Sequence, residues 1–288
     1  MSDTAYHEPE TLDAALALLG ADDGARCLAG GQTLVAMLNA NLVEPSALIS
    51  LRRIKDLDSI GWQKDGSVRI GAMATHAAVA RDARMKAAMP LIAEAAASIA
   101  HPAIRTMGTM GGAICHADPA ADYPTALVAA GGAIEIAGKA GRRTVPAAEF
   151  FVDYFTTAVE PGEIVTAIRV PAMPKGAVGH YLKYARVDGD YATVAVAGVL
   201  AREGGVCSHA ALAIGACASV PVRRAEAEMA LIGTRLDAKA IGKAAEALLA
   251  GCDPVDDVRG SAEYRRRLVP RLLRRAVDTM VSRLEKAS

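Results

Sequence analysis

Two glycine-rich turns are the segments of this sequence best suited to bind a ligand. They read LAGGQTL, from Leu28 to Leu34, and GTMGGA, from Gly108 to Ala113. Glycine adopts positive φ angles and lets backbone N–H groups converge on an oxygen atom without obstruction by a Cβ atom. Thr33 and Thr109 add one hydroxyl group to each turn. Because N–H groups and a helix N-terminus can hold an anion without a lysine, both turns are candidate phosphate cradles.

The two turns do not fit the commonest nucleotide-binding motifs. Neither is followed by Gly-Lys-Ser or Gly-Lys-Thr, so neither is a Walker A loop. Neither has the spacing GxGxxG after a strand, so a Rossmann-type nicotinamide site is not supported. An ordinary tight turn remains the alternative at each position, and the residues alone do not decide between the two interpretations.

Two aspartates, Asp118 and Asp122, precede the helical run YPTALVAAGG. One or both can cap that helix, or a carboxylate can accept hydrogen bonds from the hydroxyl groups of a sugar or ribityl chain. The residue types do not separate these roles. A catalytic carboxylate pair is not indicated, because no partner histidine motif accompanies it. His101 and His116 lack metal-ligand spacing, so we predict no catalytic residue and no metal ligand in this chain.

The overall composition narrows the class of protein. The chain has 288 residues, with 32 basic and 32 acidic side chains and only 4% aromatic residues. This balance argues against nucleic acid or an anionic membrane surface as the main partner. The five cysteines are scattered and never spaced as CxxC, which predicts reduced thiols rather than a disulfide frame, a zinc site or an iron–sulfur cluster.

The expected location is the cytoplasm. Reduced thiols are typical of that compartment. The N-terminal residues are polar and acidic, unlike those of a signal peptide. No apolar run is long enough to span a bilayer, so we expect no membrane span.

Periodicity and turn residues predict a mixture of helices and strands. Thr11 is a candidate N-cap for a short helix that ends at Gly20, and strands are predicted in SALISLRRI and SVRIGAMATH. The alanine-rich segment from Thr75 to Ala100 has a helical pattern that Pro90 divides into two parts. A further strand, GEIVTAIRVP, runs into a Pro- and Gly-rich segment from Pro171 to Gly179.

That Pro- and Gly-rich segment is the candidate domain boundary. It divides the chain into a first domain, residues 1–175, and a second domain, residues 176–288. In the second domain, two strand-like runs are joined by a predicted turn at Glu203-Gly204-Gly205, and the remainder has a helical pattern. The mixture predicts an α+β architecture in two parts.

The C-terminal helix is predicted to be amphipathic. Its apolar positions fall near one face, at Leu268, Leu272, Val277, Met280 and Leu284. Six arginines are predicted to lie opposite, at Arg265, Arg266, Arg267, Arg271, Arg274 and Arg275. Such a face is either solvated or directed toward another subunit.

Taken together and in order, these segments resemble the FAD-binding medium subunits of the molybdenum hydroxylases. That family includes the carbon monoxide dehydrogenase medium chain and is related to the flavin domain of xanthine dehydrogenase. AGGQTL resembles the family's AGGxSL motif, with Thr33 in place of the usual serine. GTMGGA resembles TIGGN, with Met110 for isoleucine and Ala113 where asparagine is common. The resemblance covers essentially the whole chain, through HADPAADYP, IGAMATH, EPGEIVTAIRVP, GDYATVAVAG and GSAEYRRRLVPRLLRRAV.

The resemblance implies an α+β fold, in which an FAD-binding domain of two α/β lobes precedes a small C-terminal domain. That second domain, of the carbon monoxide dehydrogenase flavoprotein type, has antiparallel strands and helices. FAD would lie in the groove between the lobes and the C-terminal domain. It would be bound non-covalently, because no histidine motif typical of covalent flavin attachment is present.

The resemblance also implies the residues that bind FAD. Those that would wrap the pyrophosphate are Leu28, Ala29, Gly30, Gly31, Gln32, Thr33, Leu34, Thr109, Gly111, Gly112 and Ala113. Those placed near the rest of the cofactor are Ala100, Gly108, Asp122, Ile164, Lys183 and Tyr191. Asp122 would bind the sugar-like chain, whereas Ile164 and Lys183 would lie near the isoalloxazine ring. Tyr191 would shield one face of that ring, with an ordinary half-buried tyrosine as its alternative.

The function implied by the resemblance is electron transfer within a larger enzyme. A large subunit would hydroxylate substrate at a molybdopterin centre, and a small subunit would pass electrons through 2Fe–2S clusters to the FAD of this chain and on to an external acceptor. A dimer of heterotrimers, that is a heterohexamer, is expected by analogy. Two alternatives stay open, a free-standing flavin oxidase and a flavin-free scaffold subunit. The scaffold has one argument in its favour, the missing side-chain amide at Ala113.

Overall fold

The computed structural model describes residues 4–287, which begin with a small parallel sheet. The elements of this first lobe are β1 (Ala5–His7), α1 (Leu12–Ala21), β2 (Arg26–Leu28), α2 (Leu34–Asn39) and β3 (Ala47–Ser50). The strands lie in the order β1-β3-β2, and β3 pairs in parallel with both neighbours. The hydroxyl oxygen of Thr11 accepts the N–H of Ala14 at 3.2 Å, which confirms the predicted N-cap of α1.

A larger antiparallel sheet and a layer of short helices form the second lobe. Its strands are β4 (Ile60–Trp62), β5 (Val68–Gly71), β6 (Ala133–Gly138), β7 (Gly141–Pro146), β8 (Phe151–Asp153), β9 (Thr156–Thr157) and β10 (Ile164–Val170). Five of them form one sheet in the order β4-β5-β10-β6-β7, and β8 pairs with β9 separately. Because β10 returns between β5 and β6, pairing between distant segments closes this lobe.

The helices of the second lobe follow β5 in quick succession. They are α3 (His76–Arg81), α4 (Ala83–Ala88), α5 (Pro90–Ser98), α6 (Pro102–Met107), α7 (Met110–His116), α8 (Asp122–Ala129) and α9 (Ala147–Phe150). Pro90 begins α5, which confirms the predicted break there. A second break was not predicted. Asp82 accepts the N–H of Met85 and starts a separate helix, α4, although the alanine-rich pattern indicates a single helix up to Pro90.

The C-terminal domain is a three-stranded antiparallel sheet covered by helices. Its elements are β11 (Val178–Tyr184), β12 (Val194–Glu203), β13 (Val206–Gly215), α10 (Ala225–Met229), α11 (Ala238–Leu249) and α12 (Ala262–Ala287). The strands lie in the order β11-β12-β13. The two predicted strand runs are confirmed as β12 and β13, and the predicted turn at Glu203-Gly204-Gly205 joins them.

Both faces of β12 and β13 are largely buried, which explains why these two strands are mostly apolar runs in the sequence. On β12, Ala195 and Ala197 pack into the core shared with the second lobe. Val194, Val196 and Leu200 point the other way, into a core formed with α11 and α12. Successive side chains of a strand alternate between its faces, so the small residues meet one layer and the large residues the other.

Helix α8 of the second lobe lies close against this sheet. A Cβ atom on Gly215 would lie 2.0 Å from the hydroxyl oxygen of Thr125, so glycine is required there. The adjoining loops also bond directly: Ala192 N–H donates to Ala120 O at 3.2 Å and Ala216 N–H to Pro119 O at 3.0 Å. The two parts of the chain therefore share one continuous core rather than a loose interface.

One arginine of α12 contradicts the predicted exposed face. Arg265 is only 3% exposed, whereas Arg271, Arg274 and Arg275 are exposed as predicted. Its guanidinium donates to Thr193 O at 2.7 Å and Ala216 O at 2.9 Å, and it also pairs with Asp257. Arg265 thus ties the start of α12 to the ends of β12 and β13.

We predict that Arg265→Met lowers the free energy of unfolding by about 3 kcal/mol, because it removes two charge-assisted hydrogen bonds to buried carbonyls. The measurement is urea unfolding of the full chain. Arg271→Met, an equivalent change at an exposed position of the same helix, should change the value by less than about 0.5 kcal/mol. Equal effects of the two variants would contradict a structural role for Arg265.

Candidate functional site

The two glycine-rich turns lie against each other in the structure. The first follows β2 and leads into α2, and the second leads into α7. A Cβ atom on Gly30 would lie 2.0 Å from the carbonyl oxygen of Met107, so only glycine permits this approach. A Cβ atom on Gly112 would lie 3.6 Å from the Cβ of Ala29. Gly31 has φ +72°, a conformation that glycine adopts without strain.

Most of the N–H groups that lack a protein acceptor in the described residues belong to the first turn. In the described part of the chain, the N–H groups of residues 30–34 donate to no protein acceptor. Thr33 stands at the N-cap position of α2, yet its hydroxyl makes no capping bond among the described residues. Free N–H groups at the start of a helix, joined by a free hydroxyl, form a local excess of positive partial charge. This turn can hold an anionic oxygen.

The second turn uses most of its N–H groups inside the protein, and only that of Thr109 has no acceptor among the described residues. Met110 N–H donates to Ala74 O at 2.9 Å and Gly111 N–H to Ala72 O at 2.8 Å. Thr109 accepts the next two donors, Gly112 N–H at its hydroxyl oxygen and Ala113 N–H at its carbonyl. The second turn therefore contributes mainly shape, whereas the resemblance predicts N–H donation from both turns.

Asp122 does not cap α8. The N-cap residue is Ala121, and Asp122 is the first helical residue, with its side chain only 5% exposed. Its Oδ1 accepts the hydroxyl of Tyr181 at 2.7 Å and lies 3.0 Å from Lys183 Nζ. Asp118 accepts Ala120 N–H at 2.8 Å within the preceding turn. Of the two roles left open by the sequence, side-chain capping by Asp122 is thus excluded.

Burial has the largest effect on the pKa of the Asp122 carboxylate. Desolvation raises the pKa of Asp122, while the ammonium of Lys183 and the hydroxyl of Tyr181 oppose that rise. Burial also raises the pKa of Tyr181 well above its ordinary value, and the neighbouring Asp122 adds to the rise. Tyr181 is therefore a neutral hydrogen-bond donor throughout the physiological range.

A cavity of about 580 Å³ is lined by Tyr181 and Lys183, the two partners of Asp122, but not by Asp122 itself. It lies between the α5–α6 connection and β11, and both Ala100 and Lys183 line it. Ala100 has φ +43°, and Arg105 stabilises that turn by donating to Ala100 O at 2.7 Å. Lys183 Nζ donates to Ser98 O at 2.6 Å. Two residues that the resemblance places near the cofactor thus lie on one cavity, at the junction of the two domains.

Two other predicted contacts have different surroundings. Tyr191 is 37% exposed, and the Arg259 guanidinium lies 5.0 Å from its ring centroid. The guanidinium thus covers one face of the ring. Ile164 is buried in the core of the first lobe with Ile54 and Leu57, and it does not line the cavity that Lys183 lines. The contact of Ile164 with the isoalloxazine ring stays a prediction.

Sequence reasoning missed Tyr181. The strand pattern holds the signal that finds it, because residues i and i+2 of a strand share a face. Tyr181 and Lys183 are such a pair on β11. A lysine implied near the cofactor therefore predicts that Tyr181 points the same way.

His76 packs against the second turn at Gly108. A Cβ atom on Gly108 would lie 2.7 Å from His76 Nε2, and His76 Nδ1 lies 3.3 Å from the hydroxyl of Tyr123. Burial, with a smaller contribution from Arg105, lowers the pKa of His76 to about 4. The ring is therefore neutral at pH 7.

Within residues 4–287, no group of histidine, cysteine or carboxylate side chains could hold a metal ion. The cysteines are free, at Cys27, Cys115, Cys207, Cys217 and Cys252. No helix in the same range is both long enough and apolar enough to cross a membrane.

Comparison with known proteins defines the class to which this architecture belongs. Residues 2–173 match the family described as the FAD binding domain in molybdopterin dehydrogenase. Residues 179–280 match the carbon monoxide dehydrogenase flavoprotein C-terminal domain. The chain is 40% identical to the carbon monoxide dehydrogenase medium chain of Afipia carboxidovorans over 96% of each chain. It is 30% identical to the xanthine dehydrogenase FAD-binding subunit of Escherichia coli O157:H7, again over 96% of each.

Solved structures agree with the sequence matches. The carbon monoxide dehydrogenase of Oligotropha carboxidovorans contains a chain that superposes with a TM-score of 0.95 at 40% identity, covering 98% of both chains. A chain of quinoline 2-oxidoreductase from Pseudomonas putida 86 gives a TM-score of 0.92 at 33% identity, over 99% of this chain and 98% of that one. The protein belongs to the FAD-binding medium subunits of the molybdenum hydroxylases. The predicted α+β fold and family are confirmed.

We predict that Gly30→Ala separates the two turns and abolishes FAD retention, because the added Cβ would overlap the Met107 carbonyl at 2.0 Å. Gly20→Ala is the matched control, since a Cβ there meets nothing within 4 Å. The flavin absorbance of each purified variant gives the result. Full flavin content in Gly30→Ala would show that the contact between the turns is not required.

A second prediction concerns pH and His76. Its folded-state pKa of about 4 is below the ordinary value of 6.5, so the unfolded chain binds the extra proton. The free energy of unfolding should therefore fall as pH falls from about 6.5 toward 4, by roughly 3 kcal/mol from this residue. Urea unfolding across that range, on the wild type and on His76→Gln, measures it. An unchanged pH dependence in His76→Gln would contradict the assignment.

Proposed function

We propose that this chain is the FAD-carrying electron-transfer subunit of a molybdenum hydroxylase. The observation that carries the proposal is the first turn, where N–H groups of residues 30–34 and the Thr33 hydroxyl are free of protein partners in the described range. These groups fit a pyrophosphate. A side chain at Gly30 would overlap the Met107 carbonyl, and a side chain at Gly31 would be strained because of its positive φ. When bound, FAD supplies one- and two-electron redox chemistry.

Each part of the site then has a role toward FAD. Residues 28–34 wrap the pyrophosphate and donate the free N–H groups of residues 30–34, and the second turn, residues 108–113, shapes the opposite wall and adds the N–H of Thr109. Asp122 accepts hydroxyl groups of the ribityl chain. Ala100 and Lys183 adjoin the isoalloxazine ring on the cavity side, and Tyr191 stacks on that ring through the face opposite Arg259. No residue acts as a nucleophile or general base on the organic substrate.

The partners and the domain division are part of the same proposal. The chain assembles with a large molybdopterin subunit and a small 2Fe–2S subunit as a dimer of heterotrimers in the cytoplasm. The FAD-binding domain ends at residue 175 and the C-terminal domain begins at residue 176. The matched families, at residues 2–173 and 179–280, are consistent with a boundary in this segment.

The deciding experiment is flavin analysis of the chain alone and of the complex co-expressed with both partner subunits. We expect equimolar FAD that denaturation releases intact, and no turnover by the isolated chain. In the complex, substrate should bleach the flavin absorbance in a single turnover, and Gly30→Ala should abolish that bleaching while the clusters are still reduced. Absence of FAD from the assembled complex would favour the alternative of a flavin-free scaffold subunit. Turnover by the isolated chain would instead indicate a free-standing oxidase.

A further inference from the structure

The side chains around Asp122 come from the other domain and contact its two oxygens unequally. Tyr181, itself buried, donates its hydroxyl to Oδ1 at 2.7 Å. Lys183 Nζ lies 3.0 Å from the same oxygen and 3.3 Å from Oδ2. Lys183 Nζ also donates to the Ser98 carbonyl at 2.6 Å, and its bond to Oδ2 is the longer of its two hydrogen bonds.

A carboxylate oxygen accepts about two hydrogen bonds. Oδ1 accepts the Tyr181 hydroxyl and has the Lys183 ammonium beside it as an ion-pair partner, whereas the hydrogen bond of Lys183 goes to Oδ2. Oδ2 has a single long contact and keeps the capacity to accept another donor. The orientation of the carboxylate thus depends on Tyr181, the one neutral donor that bonds a single oxygen at short distance.

We propose that Tyr181 is a positioning residue for FAD, whose hydroxyl occupies Oδ1 of Asp122 and so reserves Oδ2 for a hydroxyl group of the ribityl chain. This inference rests on the proposed function, in which Asp122 binds that chain. Tyr181 lies in the C-terminal domain, as Lys183 and Tyr191 do, so the inference adds to that domain's cofactor contacts a residue that the family resemblance did not supply.

The hydroxyl of Tyr181 also favours the ionised form of Asp122. Burial raises the pKa of Asp122, and Lys183 and Tyr181 hold that rise in check. The other titratable groups facing this region are Tyr123 beside it on α8, Asp118 in the preceding turn and Tyr191 in the loop before β12. From α5, Glu94 accepts the Tyr181 N–H at 2.9 Å and is itself paired with His180 and Arg283.

The sign of the pH effect follows from these contacts. A protonated Asp122 donates rather than accepts at one oxygen, so FAD affinity should fall as pH falls through the pKa of Asp122. Removing the Tyr181 hydroxyl removes a group that lowers this pKa. The loss of affinity should then begin at a higher pH.

The test is FAD binding to the deflavinated full chain, by fluorescence titration at several pH values. Tyr181→Phe should weaken the Kd by about tenfold at pH 7, as expected for loss of a hydrogen bond to a charged group, and should move the midpoint of the pH curve upward. In the Asp122→Asn background the same change should add much less. Additive losses, or an unmoved midpoint, would overturn the positioning role.

Tyr123→Phe is the matched control. It also removes the hydroxyl of a fully buried tyrosine, but that hydroxyl bonds His76 rather than Asp122. It should leave the midpoint of the pH curve in place. If wild type binds FAD and Tyr181→Phe binds it identically at every pH, the inference fails alone. If wild type binds no FAD, alone or in its complex, the proposed function fails with it.

Discussion

The burial of the Asp122 carboxylate is the constraint on which the junction of the two domains depends. A charged group removed from water costs several kcal/mol unless it is paired and hydrogen-bonded. Asp122 starts a helix of the second lobe, but its pairing groups, Tyr181 and Lys183, are on β11 of the C-terminal domain. The first domain alone leaves this carboxylate unpaired. Docking of β11 is therefore required to complete the site, and the shared core keeps it docked.

A second polar cluster fixes the direction of β11. Glu94 on α5 pairs with His180 at 2.8 Å and with Arg283 of α12 at 2.7 Å. Arg283 also donates to Gly179 O at 2.6 Å. Hydrogen bonds and ion pairs thus hold the start of β11 against α5 and α12, and Lys183, further along the strand, pairs with Asp122. Because both sets of contacts are on one strand, the cavity wall that Lys183 provides has a defined position.

Local signals in the sequence predicted local structure well. Thr11 as a cap, Pro90 as a break and Glu203-Gly204-Gly205 as a turn depend on neighbouring residues alone, and the structure confirms them.

The contacts that complete the candidate site are long-range. Lys183 and Asp122 are 61 residues apart, and Arg265 reaches a carbonyl 72 residues away. Helical periodicity assigned Arg265 to the exposed face because it contains no information about the loop that covers the start of α12. Ordered family motifs supplied the long-range information that periodicity lacks.

The two glycine turns differ in how many of their N–H groups are free. This difference decides how much Ala113 supports the flavin-free scaffold alternative. Ala113 lacks the amide that relatives commonly carry, but its N–H is bonded to Thr109 O within α7. Loss of one side-chain hydrogen bond costs about 1 kcal/mol, far less than the binding free energy of a tightly held cofactor. In the described range the free donors are the N–H groups of residues 30–34 and of Thr109, which this substitution does not touch. The second turn acts through its close packing, at Gly108 on His76 and at Gly111 on Ala72, and alanine at position 113 preserves that packing. The departure at Ala113 therefore gives the scaffold alternative no physical support.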